Sequence, residues 1–201
     1  MKILLLLIGG LLAMTTASYA QTGTPNAAPA KAIFAGGCFW CMEHPFDELD
    51  GVISTTSGYT GGHKDNPTYQ EVSAGGTGHT EAMLVEYDPA KVSYQTLLDV
   101  FWINIDPTDA GGQFCDRGSQ YRSGIFPLTE DQMLLATASR NKLMESGKLP
   151  GPVVTEITPA GPFWPAEDYH LDYYQRNPIR YKYYRFGCGR DKRLKELWGA
   201  E

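Results

Sequence analysis

Two cysteines that flank a pair of aromatic residues are the most chemically informative feature of the sequence. Cys38 and Cys41 enclose Phe39 and Trp40, and the four residues follow two glycines at the end of a short apolar run. This order predicts a strand, a tight turn and a cysteine at the start of a helix. Free N–H groups at a helix N-terminus stabilise a thiolate. We therefore expect Cys38 to be a nucleophile, beside an apolar cup formed by the two rings that suits a methyl or thioether group.

The remaining cysteines leave several pairings open. Cys38 and Cys41 have the spacing of thiol–disulfide exchangers. Cys188 lies between two glycines, as expected of a mobile thiol that resolves an oxidised sulfur elsewhere. Two structural disulfides that include Cys115 are the alternative, since export favours them. We predict no metal site, because no second C-x-x-C or H-x₃-H pair follows the first.

Glu81 is the candidate proton donor. It opens a predicted strand in which Met83 and Val85 share its face. A carboxyl group on the apolar side of a sheet is desolvated, which raises its pKa and makes it a general acid near neutral pH. A strand carboxylate that faces solvent is the alternative interpretation.

Three further polar residues lie in loops that surround these strands. Tyr69 and Tyr121 offer phenolic donors, and Asp116 stands in a polar run that leads into a strand. Each has an ordinary structural explanation as well, a packed tyrosine or a hydrogen-bonded loop.

The elements that must hold these residues alternate between strands and helices. Strands are predicted at 33–35, 52–57, 80–87 and 120–126, and helices at 38–49 and 94–105. This is the βαββαβ order of a ferredoxin-like, two-layer α/β (α+β) fold with its helices on one sheet face. Residues 58–78 read as a glycine-rich loop. Pro45 falls inside the first helix, where we expect a freed carbonyl or a kink.

The C-terminal third adds to this core. A capping-box pattern at 129–132 predicts an extra helix that Gly147 ends. An extra strand is expected at 153–158. Beyond it we predict a long, coil-rich tail, rich in Tyr, Trp and Pro, with a short last helix near 194–198.

The first twenty residues have the pattern of a secretory signal peptide. Lys2 gives a basic start, residues 3–14 are mainly apolar, and small residues precede a cut after Ala20. An uncleaved anchor is disfavoured, because the run is shorter than the ~20 residues of a membrane span. We expect export to the periplasm or beyond, a tether at 21–30, and no stable membrane insertion after cleavage.

Composition bounds the rest of the chain. Cleavage leaves about 180 residues, enough for one domain at 31–201 with its own core. The formal net charge is −6 and no basic run is present. These features exclude a nucleic-acid-binding function.

Five segments together resemble the A-type peptide methionine sulfoxide reductases. They occur in the family's order and cover most of residues 32–126, while the tail at 177–198 resembles one family subtype. The segments are GCFW at 37–40, GYTGG at 58–62, NPTY at 66–69, GHTEA at 78–82 and DRGSQYRS at 116–123.

The resemblance implies repair of oxidised proteins during oxidative stress. It implies reduction of the S-epimer of methionine sulfoxide, free or in polypeptides, by a monomer without a metal or bound organic cofactor. A thioredoxin-like protein would supply the electrons. Cys38 would attack the sulfoxide sulfur and Glu81 would protonate its oxygen. The other roles are hydrogen bonds to that oxygen from Tyr69 and Tyr121, methyl binding by Phe39 and Trp40, and polar support from Asp116.

The chain departs from the family pattern at its other cysteines. Cys41 is absent from many relatives, so the thiol that resolves the Cys38 sulfenic acid is Cys41 or Cys188. We favour Cys188, which matches the glycine-flanked cysteine of the family's tail. Position 73, a cysteine in some relatives, is Ser73 here, and Cys115 has no assigned role.

Two other functions are kept as alternatives. The first is a dithiol–disulfide oxidoreductase that uses Cys38 and Cys41, although such proteins usually carry smaller residues between the cysteines and do not need Glu81. The second is a secreted, disulfide-stapled binding module without free thiols.

Overall fold

A computed structural model describes residues 28–199 of the chain. The predicted signal peptide and most of the predicted tether lie outside the described residues. The first strand begins at Ala30, which the sequence analysis assigned to the tether.

Strands and helices alternate along the described part of the chain. The strands are β1 (Ala30–Gly36), β2 (Val52–Thr60), β3 (Thr80–Tyr87), β4 (Gly112–Gln113), β5 (Asp116–Arg117), β6 (Ser123–Ile125), β7 (Glu156–Ile157) and β8 (Trp164–Pro165). The α-helices are α1 (Phe39–Asp47), α2 (Tyr69–Ala74), α3 (Tyr94–Ile103), α4 (Glu130–Glu145), α5 (Tyr173–Arg176), α6 (Pro178–Gly187) and α7 (Arg190–Trp198). Short 3₁₀ helices occupy Ser119–Tyr121 and Asp168–His170.

The central sheet has the predicted ferredoxin-like core. Its strand order is β7-β6-β1-β3-β2-β8, in which β6, β1, β3 and β2 are antiparallel neighbours. β7 adds to one edge in parallel with β6, and β8 adds to the other. β4 and β5 form a separate hairpin.

The helices cover one face of this sheet. Alternate residues of β3 point toward them, so that Met83 and Val85 join the main core. Phe34 of β1 stacks there on Phe46 and Phe101, with ring centroids 5.2 Å apart in both pairs. The other sheet face carries a smaller apolar cluster, in which Ile33, Ala35, Ala82 and Phe126 are packed by Ala160 and Phe163.

Three regions contain more helix or less strand than predicted. The glycine-rich loop contains α2, whose capping box pairs Thr68 with Glu71. The predicted strand at 120–126 is a 3₁₀ turn followed by β6, and the strand at 153–158 shrinks to β7.

The tail is more helical than the predicted coil. α6 begins with Pro178 at its first position, where a missing N–H removes no hydrogen bond. Gly189, between α6 and α7, takes the left-handed conformation with φ 71°. Pro178 and Gly189 thus mark helix boundaries, whereas we had read a tail rich in Tyr, Trp and Pro as coil.

Pro45 leaves α1 intact and frees one carbonyl. The helix runs through it to Asp47, and the ring has no N–H for the carbonyl of Cys41 four residues earlier. The guanidinium of Arg185 on α6 donates to that oxygen at 3.5 Å. The proline therefore creates an attachment point for the tail next to the C-x-x-C motif.

Across residues 28–199, the helices are too short or too polar for a bilayer span.

Candidate active site

Several strand ends meet at one edge of the helix-covered face and bring the predicted residues together. β1 and β3 pair Phe34 with Met83, and two more residues in that register bring Gly36 opposite Glu81. β2 pairs Tyr59 with Glu81 from the other side. Because Cys38 follows β1 directly, sheet register alone sets the nucleophile candidate near the acid candidate.

The two glycines before Cys38 serve packing within the chain. A side chain at Gly36 would overlap Met42 and Ile105, and one at Gly37 would lie 2.6 Å from the Cβ of Gln113. Gly37 also has φ 82°, which only glycine adopts readily. The pair makes a tight turn against the protein interior.

Cys38 and Cys41 are buried free thiols that interact with each other. Cys38 is the N-cap residue of α1, and the amide N–H of Cys41 donates to its carbonyl at 3.0 Å. The two thiols lie close enough for each to shift the pKa of the other. They therefore ionise as a coupled pair.

The first ionisation of this pair differs from the expected one. Burial raises the pKa of Cys38, and the neighbouring Cys41 thiol raises it further. The same interaction lowers the pKa of Cys41 to about 7, with help from the charges of Arg190 and Arg185. The helix start does not favour a Cys38 thiolate as predicted, because the first amide of α1 is bonded to Glu81.

Glu81 has the environment that strand alternation predicted. It is 2% exposed and shares the apolar face of β3 with Met83. Burial raises its pKa to about 8, against a lowering by the Phe39 N–H, which donates to Oε2 at 3.0 Å. The negative charge of Asp116 adds to the increase. A neutral carboxyl group is therefore available at physiological pH, with Oε1 left to carry the proton.

The two predicted phenol donors, Tyr69 and Tyr121, lie close enough to Glu81 for its charge to change their pKa. Tyr69 is the first residue of α2, and Tyr121 ends the 3₁₀ turn before β6. Burial raises the pKa of both phenols, and the charge of Glu81 raises it further. The pKa of Tyr69 reaches about 12. Both side chains thus remain neutral donors.

Asp116 lies between the acid and the tail. Burial raises its pKa, while the hydroxyl of Tyr184 on α6 donates to its Oδ2 at 2.6 Å. Its charge acts on both Cys38 and Glu81. The structure therefore brings all the predicted polar residues into one cluster.

Phe39 and Trp40 lie in different environments. Phe39 is almost fully buried, with its ring 6.0 Å from that of Tyr59. Trp40 is half-buried and stacks flat on Tyr173, with centroids 3.7 Å apart. Their own rings are 6.5 Å apart. Trp40 is therefore the more accessible apolar wall.

His170 is a residue of this site that sequence reasoning missed. Its Nδ1 accepts from the indole N–H of Trp40 at 3.1 Å, and its ring lies 4.9 Å from Phe39 and 4.5 Å from Tyr69. Burial lowers its pKa to about 4, so the ring is neutral. The ring fixes the orientation of Trp40.

Glu167 was missed in the same way. Its carboxylate accepts from the hydroxyl of Tyr59 at 2.9 Å and from the amide of Tyr69 at 2.8 Å. It therefore joins β2 to the start of α2. The aromatic richness of the tail was the signal that this segment covers the site.

Cys188 is bonded to Cys115 in a disulfide across 73 residues. We had favoured Cys188 as the partner of Cys38, yet the thiol that contacts Cys38 in this state is Cys41. Cys115, Asp116 and Cys188 also form a compact group of possible metal ligands within the described residues. Both sulfurs are committed to the disulfide, so the group offers no thiolate to a metal.

Comparisons with known proteins agree on one family. The pattern of the family described as "Peptide methionine sulfoxide reductase" matches residues 30–201. A Bacillus licheniformis protein named "Peptide methionine sulfoxide reductase MsrA" is 53% identical over 170 residues, which are 85% of this chain and 94% of the relative. "Peptide methionine sulfoxide reductase MsrA 2" of Caulobacter vibrioides is 48% identical over 200 residues and spans both chains fully.

Solved structures are similar as well. Reduced Mxr1 from Saccharomyces cerevisiae has a TM-score of 0.71 at 32% identity, covering 78% of this chain and 89% of its own. Methionine sulfoxide reductase A of Corynebacterium diphtheriae has a TM-score of 0.67 at 36% identity, covering 78% of each chain.

Proposed function

The chain belongs to the peptide methionine sulfoxide reductase family, and from this premise we propose that it is a thiol-dependent oxidoreductase that reduces the S-epimer of methionine sulfoxide. The observation that carries this mechanism is the burial of Glu81, which raises its pKa to about 8, beside the thiol pair of Cys38 and Cys41. Breaking a sulfur–oxygen bond requires a nucleophile on sulfur and a proton for the departing oxygen.

The first step joins Cys38 to the substrate sulfur. The thiol pair loses one proton, the Cys38 proton then passes to the Cys41 sulfur, and the resulting Cys38 thiolate attacks the sulfoxide sulfur while Glu81 transfers its proton to the oxygen. Tyr69 and Tyr121 donate hydrogen bonds to the same oxygen, which stabilise its developing negative charge. The hydroxyl group then moves from the substrate sulfur to the Cys38 sulfur as the bond between the two sulfurs breaks, so that methionine leaves and Cys38 carries a sulfenic acid.

The second step forms a disulfide. The Cys41 sulfur attacks the Cys38 sulfenic acid, a sulfur–sulfur bond forms, and the hydroxyl group leaves as water with one proton. The interaction between these two buried, free thiols supports Cys41 as the first resolving residue. In sum, one sulfoxide and two thiols give one thioether, one disulfide and water.

Epimer selection follows from three different walls around the substrate sulfur. The oxygen must face Glu81, the methyl group must face Trp40, and Cys38 must approach from a third direction. The opposite epimer would exchange the methyl group with the oxygen or the chain. Its oxygen would then face the indole, where no acid is available.

The electron source and location are further parts of the proposal. A thioredoxin-like dithiol protein would reduce the disulfide, without a bound organic cofactor. Export is proposed from the pattern of residues 1–20, so the clients would be oxidised envelope proteins.

Epimer-resolved turnover with dithiothreitol tests this function. The protein should reduce Met-S-sulfoxide in a peptide and leave the R-epimer unreacted. Glu81→Gln keeps an acceptor for the Phe39 amide but has no acidic proton, and it should lower the rate by ~10²–10⁴-fold. Equal rates for both epimers, or a Glu81→Gln variant with unchanged rate, would refute the mechanism.

The Cys41→Ser variant tests the second step. It should release the first methionine and accumulate a Cys38 sulfenic acid that dimedone labels. A dithiol–disulfide oxidoreductase would behave differently, since it would lose function without Cys41 and would not depend on Glu81.

A further inference from the structure

We propose that Arg190 is a positioning residue for sulfoxide reduction, which holds the two ends of the C-x-x-C segment in place and supplies the buried positive charge opposite the thiolate that forms there. The inference rests on the proposed function, because attack on a sulfoxide requires a thiolate at Cys38. The site then contains a cation in addition to its thiols, its acid and its phenols.

Arg190 is a fully buried charged side chain. It is the first residue of α7 and is 1% exposed. Arginine is almost never buried to this extent unless it is paired, because the removal of its charge from water costs free energy. The groups that surround the guanidinium therefore indicate its role.

The guanidinium contacts the chain at both ends of the C-x-x-C segment. Nη2 of Arg190 donates to the carbonyl of Gly36 at 3.1 Å, two residues before the nucleophile. The same nitrogen lies 3.0 Å from Sδ of Met42, the residue after Cys41. Nη1 lies 3.7 Å from the position that a Cβ would take at Gly37. One planar group thus lies against both the turn and the start of α1.

Two further segments complete this attachment. Nη2 carries two hydrogens and also donates to the carbonyl of Asn104, the C-cap residue of α3, at 2.6 Å. The ring of Phe114 covers the guanidinium, with 4.5 Å between the ring centroid and the central carbon. Arg190 therefore ties the turn before Cys38 to the end of α3.

The positive charge of Arg190 has no carboxylate partner in the part of the chain that the structure describes. Its contacts are with two carbonyl oxygens, a thioether sulfur and an aromatic ring, none of which carries a net charge. Its Nε makes no hydrogen bond there. A buried charge without a partner is unfavourable, and an anion that forms near it is stabilised.

Two other arginines of the tail lack this property. Arg185 pairs with Asp191 at 2.6 Å, and Arg193 on α7 pairs with Asp106 at 2.8 Å. Both are also more exposed than Arg190. Their charges are therefore partly neutralised by a carboxylate and by solvent, whereas the charge of Arg190 is not.

The anion that forms near Arg190 is the ionised thiol pair. The neighbouring Cys38 thiol lowers the pKa of Cys41 most, and burial opposes that effect. The charge of Arg190 lowers the pKa of Cys41 further, ahead of the charge of Arg185. The electrostatic effect thus agrees with the contacts, which place the guanidinium against the residues on either side of the two cysteines.

Other titratable groups act on the same pair. The carboxyl groups oppose thiolate formation at one or both thiols, and they are Glu81 and Asp116. The thiols in turn raise the pKa of four phenols, which stay neutral: Tyr69, Tyr121, Tyr181 and Tyr184. Among the groups around the thiols, Arg190 is therefore the cation that no carboxylate neutralises within residues 28–199.

A purely structural anchor would behave differently. If Arg190 only fixed α7 on the core, its loss would lower the stability of the protein and leave the ionisation of the thiols unchanged. A counter-charge predicts a shift in that ionisation. Lysine keeps the positive charge, methionine has a similar length without charge, and glutamine keeps an amide donor without charge.

The first experiment follows thiolate formation by ultraviolet absorbance as pH rises. With the Cys115–Cys188 disulfide intact, Cys38 and Cys41 are the free thiols. The wild type should ionise at about pH 7. Arg190→Met and Arg190→Gln should ionise ~1 pH unit higher, and Arg190→Lys within ~0.5 unit of the wild type. Arg193→Met, the matched control on the same helix, should cause no shift.

The second experiment measures the first methionine released at pH 7, with Tm recorded for each variant. The higher ionisation pH overlaps less with protonated Glu81, which loses its proton through about pH 8. The rate should therefore fall by ~5–10-fold in the two neutral variants. Arg190→Lys should restore most of the rate, and Arg193→Met should match the wild type.

Each outcome decides the proposal. A folded neutral variant that ionises at the wild-type pH would overturn it. Equal shifts in Arg190→Lys and Arg190→Met would do the same, since the positive charge would not be their cause. If neither neutral variant folds, Arg190 serves the fold and the counter-charge is refuted. A wild type that forms no methionine would instead refute the proposed function, while the thiolate titration would still report on Arg190.

Discussion

The two cysteine pairs, free Cys38 and Cys41 and the disulfide of Cys115 and Cys188, place sulfur in opposite surroundings. Cys38 and Cys41 are three residues apart, buried, and held at one helix start. Cys115 and Cys188 are 73 residues apart, at the surface, and held by two separate segments. Burial raises the pKa of Glu81 to about 8 beside the first pair, whereas no acid with a pKa raised to that value lies next to the disulfide in the described residues. The comparison teaches that the surroundings of a cysteine, rather than its residue type, decide whether it can take part in acid-assisted chemistry.

The largest expected effect separates the pairs by their roles. Cys38→Ser should abolish methionine formation, with a loss of at least ~10³-fold, because the hydroxyl is a far weaker nucleophile than a thiolate. Cys115→Ser should instead leave the first methionine release unchanged, because Cys115 is bonded to Cys188 and is not part of the buried thiol pair. Rapid-quench measurement of methionine release detects the effect of each substitution. A Cys38→Ser variant that still reduces the sulfoxide would contradict the role of Cys38 as the nucleophile.

A smaller effect is expected at Arg185, which joins α6 to the carbonyl of Cys41. Arg185→Gln removes a positive charge that lowers the pKa of Cys41 and weakens the bond to its carbonyl. The coupled thiols should then ionise at higher pH, so that the rate at pH 7 falls by ~3–10-fold and recovers at higher pH. Arg180→Gln, which removes an exposed charge on the same helix, is the control. Identical pH profiles for the two variants would contradict an effect of Arg185 on the ionisation of Cys41.

The pocket around Cys38 and Glu81 should also depend on the tail, because His170 orients Trp40. His170→Phe keeps a ring but removes the acceptor for the indole N–H. Loss of this hydrogen bond, worth ~0.5–1.5 kcal/mol, should raise KM by ~2–10-fold with a smaller change in kcat. Steady-state kinetics with the S-epimer measure this split. A change in kcat alone would show that the ring has another role.

The smallest expected effect concerns stability. Glu43 is buried in α1, accepts from the amide of Asp172, and has its pKa raised by burial to about 7. Because the folded-state pKa exceeds the unfolded value, the folded protein holds more protons than the unfolded protein between about pH 4.5 and pH 7. The free energy of unfolding therefore falls as pH rises through that window, and the loss is complete above it. Glu43→Gln should therefore raise Tm by a few degrees at pH 8 and change it less at pH 5. An equal shift at both pH values would contradict this.

Local patterns predicted the inner site, and tertiary contacts decided the rest. The alternation of Glu81 with Met83 and Val85 correctly predicted a desolvated carboxyl group, because strand geometry fixes which residues share a face. The position of Cys38 followed from one turn. Its pKa did not, since the amide expected to stabilise its thiolate bonds to Glu81, which is 42 residues away from that amide.

The tail could not be read in the same way. His170 reaches Trp40 across 130 residues, and Cys188 reaches Cys115 across 73. No local periodicity encodes such contacts. Pro45 is an instructive intermediate, because the sequence correctly predicted a freed carbonyl but could not name Arg185 as its donor.

The pH dependence of kcat/KM for the S-epimer, with and without Glu81, tests the central claim most directly. The rate should rise through about pH 7 as the thiol pair ionises, and fall through about pH 8 as Glu81 loses its proton. Glu81→Gln should be slower and should lack the fall at high pH. A wild-type rate that stays constant above pH 9, or a variant that retains the same fall, would contradict a buried acid acting beside the Cys38 thiolate.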